Sequence, residues 1–199
     1  MSQEYSEHEL QLEGQFLISM PGIGDPRFER SLIYLCAHSA SGAMGFIVNH
    51  AVESTDFLAL LKQLEIRNEN SIANLSPEVS SLPVFRGGPV EQARGFVLHS
   101  ADYSSESTMQ VQEDICLTAT LDILKAIADN NGPREKLLVL GYAGWSPGQL
   151  EDEIARNGWL TGKASSDILF ERQLDQKYDL ALKSMGIDEA LLSADAGHA

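Results

Sequence analysis

The chain has little of what most recognisable chemistry requires. It holds two cysteines, Cys36 and Cys116, and none of its five histidines forms a His-x-x-x-His pair. No Cys-x-x-Cys occurs either, so the ligand spacings of a structural zinc site are missing. No metal and no cofactor is expected, and both thiols are read as small buried hydrophobes. There is no Gly-x-x-x-x-Gly-Lys run to cradle a phosphate. No apolar stretch approaches the ~20 residues of a membrane helix. The opening MSQEYSEHEL is acidic where a secretory leader is basic, so a cytoplasmic chain without a membrane partner is expected. Positive charge is also scarce: Lys+Arg 14 against Asp+Glu 29 gives a net charge of -15. Neutralising phosphates drives generic nucleic-acid binding, so tight binding of that kind is not expected. An acidic surface of this sort aids solubility.

What is present reads as one domain. The 199 residues suffice for one substantial core and are short for two, and 43% are hydrophobic. Residues 1–13 read as a polar lead-in, 14–187 as the domain and 188–199 as a frayed tail. Phe16–Met20 reads as a strand, broken by Pro21-Gly22 and Gly24-Asp25-Pro26. Asp25 before Pro26 has the form of an N-cap followed by Pro at the first helical position, which predicts a short turn over Pro26–Arg30. Leu32–Ala37 and Met44–Val48 are apolar on both alternating faces. That pattern predicts interior strands covered on both sides, paired as a hairpin through Ser39–Gly42.

Further on, Phe57, Leu58, Leu60, Leu61 and Leu64 give a helical stripe capped by Ser54 or Thr55, with 65–82 as a long loop. Val84–Phe85, Arg86-Gly87-Gly88-Pro89 and Gly95–His99 predict a second strand–loop–strand unit. Its Gly95-Phe96-Val97-Leu98 echoes Gly45-Phe46-Ile47-Val48, as if two hairpins were related. A short strand near Met109–Val111 precedes a helix over Thr118–Asp129, with Leu121, Leu124, Ile127 and Ala128 on one face. Leu137–Tyr142 reads as a buried strand. The next helix is predicted to open with Ser146 as N-cap, Pro147 at its first position and Gln149 completing a capping box. Trp145 and Leu150 would staple it and Gly158 would end it. A last helix carries Leu174, Tyr178, Ala181, Leu182 and Met185 up to Gly186.

Several of these stretches together resemble the YqgE/AlgH family of bacterial proteins. They are Met20-Pro21-Gly22, Asp25-Pro26-Arg27-Phe28 and Ser31, Gly42-Ala43-Met44-Gly45, Gly87-Gly88-Pro89-Val90, Gly95-Phe96-Val97-Leu98-His99, and Gly141-Tyr142-Ala143-Gly144-Trp145-Ser146-Pro147-Gly148-Gln149-Leu150-Glu151. The resemblance runs from about Gly14 to Gly186. It implies a single α+β domain with a coiled or partly barrel-like, mostly antiparallel sheet flanked by helices. It implies no reaction, and the AlgH name carries a proposed role as a transcriptional regulator.

Candidate chemistry is weighed from the residues themselves. Gly144-Trp145-Ser146-Pro147-Gly148 sits between strand and helix as a nucleophile elbow would, yet Pro147 breaks the required form and Ser146 is already needed as a cap. Arg86-Gly87-Gly88-Pro89 and the helix start at Pro147 offer anion cradles, but both prolines remove donors. His38 and His50 lie at opposite ends of the hairpin, roughly 20 Å apart at ~3.3 Å per residue, too far to share a metal. The remaining group is the corner of Arg27, Arg30, Asn49 and His50, with His99 as a fifth. Two guanidiniums beside an imidazole and an amide make an anion clamp. Alternatively Arg27 or Arg30 pairs with Asp25 or Glu29 and merely pins the corner. Two functional classes follow. One is a binding or regulatory protein acting through a protein partner or a small anionic ligand, without tight direct DNA binding. The other is an enzyme acting on an anionic or nucleotide-like substrate at that corner.

Overall fold

The computed structural model describes residues 11–66, 75–189 and 192. Its organising element is the long strand β9 (Lys136–Trp145). One edge of β9 pairs antiparallel with β6 (Val90–Ser100). The other edge is shared. Its first half runs parallel to β5 (Pro83–Arg86), and its second half runs antiparallel to β3 (Gly42–Ile47). The Gly87-Gly88 corner spans that seam: Gly87 donates its N–H to Leu140 and accepts from Ile47, both at 2.8 Å. Gly88, at φ +156, lies so close to β9 that a Cβ would stand 2.2 Å from the Tyr142 carbonyl carbon. Only glycine permits that approach.

Outward from β3 come β2 (Leu32–Ser39), β1 (Gln15–Ser19) and β10 (Trp159–Lys163). Outward from β6 come β8 (Ile115–Thr118) and β7 (Met109–Gln110), while β4 (Ala51–Asp56) pairs with β5. The result is a ten-stranded, mostly antiparallel sheet curled into a half-barrel. Six helices flank it among the described residues: α1 (Phe57–Gln63), α2 (Pro77–Ser80), α3 (Leu121–Ala128), α4 (Gln149–Ala155), α5 (Ser166–Leu169) and α6 (Leu174–Ser184).

Alternate residues of each interior strand enter different cores, as two-sided burial requires. Leu32, Tyr34, Phe46, Phe96, Leu98 and Val139 join one large cluster with Tyr178, Ala181 and Leu182 of α6. On the opposite face the apolar residues divide in two. Val84, Val97 and Leu138 pack under α1 and α3, while Ile33, Leu35, Ile47, Trp145 and Trp159 pack under α4.

The hairpin β2–β3 forms as predicted, but a bulge at Cys36 shifts its register. With Ile33 opposite Ile47, continuing the ladder puts Asn49 at Ser31 and His50 at Arg30. Five local expectations are corrected. Ser54 and Thr55 lie in β4, and Asp56 caps α1 by accepting from the Ala59 N–H at 2.8 Å. The Thr118–Asp129 helix begins only at Leu121, which is 51% exposed, because Ile115–Thr118 is a strand. The second hairpin does not exist, since β5 and β6 each pair with β9 and not with each other. Finally, Ser146 does not cap α4. Pro147 and Gly148 (φ +76) make a tight turn closed by the Gln149 N–H donating to the Ser146 carbonyl at 3.0 Å. Pro-Gly at the two central positions is the type II signature, and it outcompetes the helical start. The Gln149 half of the capping box survives, accepting from the Ser146 N–H at 3.0 Å. At the other end Asn157, at φ +58, takes the left-handed position expected of Gly158. The predicted long loop holds α2, and its residues 67–74 lie outside the described residues, as do 1–10 of the lead-in and most of the tail.

Candidate functional site

Of the five residues of the anion corner, Arg30, Asn49 and His50 meet at the open end of the hairpin through the Arg30 backbone, while Arg27 and His99 have other partners. Asp25 caps the 3₁₀ turn Pro26–Phe28 and grips Arg27 with both carboxylate oxygens, at 2.6 to 3.1 Å. The same guanidinium holds the Asp25 carboxyl below the usual carboxylate range. Arg30, at φ +48, turns the opposite way, pairs with Asp179 and Glu189 and lies over the Tyr178 ring. Asn49 is occupied by backbone: its amide accepts from the Leu32 N–H and donates to the Arg30 carbonyl, both at 2.8 Å. His50 is half-buried, and burial lowers its pKa against a backbone hydrogen bond with Arg30.

His99 is fully buried at the far end of β6. Its Nδ1 faces the Ser100 carbonyl at 2.9 Å, which can only accept, so Nδ1 carries the proton. Nε2 must then accept from the Thr118 hydroxyl at 2.9 Å. Burial lowers the pKa of His99 as well, which keeps it neutral. Thr118 in turn contacts Thr108, and Thr108 contacts Ser105, so the histidine anchors a hydroxyl network that holds the 101–108 loop to β8.

Two motifs among the stretches that carry the family resemblance, residues 20–28 and residues 141–151, meet elsewhere. The loop after β1 and the turn and helix after β9 form the walls of a cleft of about 610 Å³. Trp145, Trp159, Phe28 and Ile23 make its apolar floor, with Pro89 and Val90 to one side. The floor is held by one carboxylate. Glu153 Oε2 accepts both indole N–H groups, from Trp145 at 2.9 Å and Trp159 at 2.8 Å. Its Oε1 accepts from the Gln149 amide at 2.9 Å. The indoles meet edge to face at 5.9 Å, and Phe28 packs on Trp159 at 5.6 Å. Arg27 and Arg156 stand on the rim, both exposed. Of the five residues proposed from sequence, the cleft contains Arg27 alone.

Sequence reasoning passed over two residues of consequence. Glu153 is the last of three consecutive acids, Glu151 to Glu153, near a helix start, and only tertiary pairing reveals its task. Lys177 sits in a helix of ordinary amphipathic pattern, yet it is fully buried. Its ammonium donates to the carbonyls of Val48 at 2.9 Å and Leu169 at 2.8 Å, and it lies over the Phe85 ring. Burial pushes its pKa down to about 7. It ties α6 and α5 to the end of the hairpin, and no spacing in the chain announces it.

Comparison with known proteins covers nearly the whole chain. A family model described as AlgH-like matches residues 16–190. A UPF0301 protein of Bradyrhizobium diazoefficiens is 54% identical over 189 residues, covering 94% of this chain and 88% of that one. A UPF0301 protein of Afipia carboxidovorans is 56% identical, covering 94% and 90%. The solution structure of the AlgH protein from Pseudomonas aeruginosa matches with a TM-score of 0.75 and 37% identity over 100% of both chains. A crystal structure from Corynebacterium diphtheriae shares the fold at a TM-score of 0.59 and 18% identity, over 78% of each chain.

Proposed function

The chain belongs to the AlgH-like family, and from that premise we propose that it is a binding protein which takes a small anionic ligand in the cleft between its two motifs. One observation carries this reading: every acid at the cleft that could act as a base is already engaged. Glu153 accepts three hydrogen bonds and Asp25 is gripped by Arg27. What remains directed at solvent is cationic, the Arg156 guanidinium and the unused donors of Arg27. Arginine suits carboxylate and phosphate groups, and the aromatic floor suits an apolar body attached to one. The cleft is also of ligand-pocket size. Self-pairing of Arg27 and of Arg30 supports binding over catalysis, and the cavities lined by Arg27 and by Arg30 both leave out His50. With a net charge of -15, any effect on transcription runs through a ligand or a protein partner rather than a grip on DNA.

The test is a thermal-shift screen against phosphate- and carboxylate-bearing metabolites. A true ligand at a hundredfold excess over its Kd stabilises by about 2.7 kcal/mol. The wild-type melting temperature should rise, and the rise should shrink in Arg156→Gln and vanish in the Arg27→Gln/Arg156→Gln double variant. Ligands that stabilise all three proteins equally would refute the assignment.

A further inference from the structure

In a chain of 29 acids against 14 bases, cations readily find a carboxylate. Among the described residues, Arg27, Arg30, Arg94 and Arg134 each pair with one. Arg86, the exposed last residue of β5, forms no such pair among them. The ladder sets it instead against a second group that can become positive. The Arg86 N–H donates to the His50 carbonyl at 2.8 Å, and the next pair along is Phe85 with Ala51. Residues directly opposite in an antiparallel pair send their side chains to the same side, with Cβ atoms about 5 Å apart. The half-buried His50 ring is oriented by its hydrogen bond to the Arg30 carbonyl, which the Asn49 amide also holds at 2.8 Å. A carbonyl only accepts, so that ring nitrogen donates and the other is left for a further partner. The charge acting on the ring is the Arg86 guanidinium. Nearby on α6, the Lys177 ammonium rests on the Val48 carbonyl and the Phe85 ring, and Glu171 acts on Lys177 and not on His50. Burial and Arg86 both lower the His50 pKa, as an unanswered cation beside the ring must.

We propose that Arg86 and His50 together form a binding site for the phosphate group of a phosphomonoester. A phosphate dianion carries the charge that answers one guanidinium and one imidazolium. Two of its oxygens can take parallel N–H groups of Arg86, and a third can take the remaining ring nitrogen of His50 once that is protonated. A carboxylate, with one charge and two oxygens, would leave half of the site unanswered. The expected ligand therefore binds the protonated ring in preference to the neutral one, and binding and protonation support each other. The inference is independent of the motif cleft, which neither Arg86 nor His50 lines.

The probe is methyl phosphate, with sodium chloride at equal ionic strength as the control. The Cε1 proton of His50, assigned with His50→Gln, is followed by NMR in the full chain over roughly pH 5 to 8, where histidine titrates. Methyl phosphate should raise the His50 pKa by about 1, in a saturable manner, and leave the buried His99 unmoved. Arg86→Gln keeps the backbone bond to His50 and should melt at the wild-type temperature. It should raise the His50 pKa in chloride and abolish the response to methyl phosphate. Arg86→Lys, which keeps the charge and loses the fork, should retain a weakened response. Equal His50 pKa values in methyl phosphate and in chloride would reduce the effect to screening and overturn the site. A methyl phosphate response that survives Arg86→Gln overturns it too. Inorganic phosphate should act as the ester does, and a response to inorganic phosphate alone overturns the monoester assignment.

Discussion

The face of the sheet turned away from the large core carries two apolar clusters, and each opens to solvent in a different manner. Under α4 the cleft is wide, its floor is aromatic, and a single carboxylate binds its parts together. Under α1 and α3 lies a narrow, aliphatic cavity, and shape alone forms it. The first is rigid because buried donors require acceptors, and removing one acceptor leaves several groups unsatisfied. The second is adaptable, since dispersion contacts around a void are individually small and can be completed by a ligand or a larger side chain. Polar pairing fixes a site's geometry, whereas apolar lining fixes only its volume.

That contrast breaks most sharply at Glu153. Glu153→Ala strips the acceptor from two buried indoles and from Gln149, and should cost about 3 kcal/mol. In a chain of this size that is a fall of roughly 9 °C in melting temperature. Glu153→Gln keeps an acceptor oxygen and should cost about 1 kcal/mol. If Ala and Gln prove equal, the floor is held by packing and the two regions are of one kind.

A smaller, pH-dependent effect should come from Lys177, which is buried beside the large core. Its folded pKa of about 7 lies below the unfolded lysine value. Above pH 7 the unfolded chain therefore binds a proton that the native state lacks, so wild-type stability rises with pH until the unfolded lysine itself deprotonates near ~10.4. Relative to Lys177→Met, the wild type should gain up to about 2 kcal/mol between roughly pH 7 and 9, read from paired thermal melts. A difference that stays flat across that window would show the ammonium to be fully compensated by its two carbonyls and Phe85. The smallest effect belongs to Ser146→Ala, which should change stability by less than about 0.5 kcal/mol, because the hydroxyl caps nothing. A loss near 1 kcal/mol would restore the capping role that the sequence predicts.

The backbone framework was legible because its signals are local. The two-faced apolar runs at Leu32–Ala37 and Met44–Val48, the Asp25-Pro26 turn and the last helix all formed where periodicity and turn chemistry placed them. Ser146 misled because Ser-Pro-Gly-Gln satisfies two local grammars, and the left-handed Gly148 selects the turn. The hairpin register slipped by one residue at Cys36, since a bulge leaves no mark in an apolar run. For the site, the family motifs were visible but their meeting was not. Nothing local says that Glu153 faces both tryptophans, or that Arg27 and Arg30 turn apart. The aliphatic cavity was invisible for a plainer reason: leucines and valines from five elements surround it, and each alone reads as core.

The two tryptophans allow one direct test of the motif cleft. They are the only tryptophans in the chain, and both indole N–H groups end on Glu153 at its floor. A ¹⁵N spectrum therefore shows two indole signals, each reporting on this cleft. Adding the anionic metabolite that gives the largest thermal shift should move both indole signals in a saturable manner, and Arg27→Gln/Arg156→Gln should remove the response. If that metabolite stabilises the protein while both indole signals stay fixed, the cleft is not the binding site.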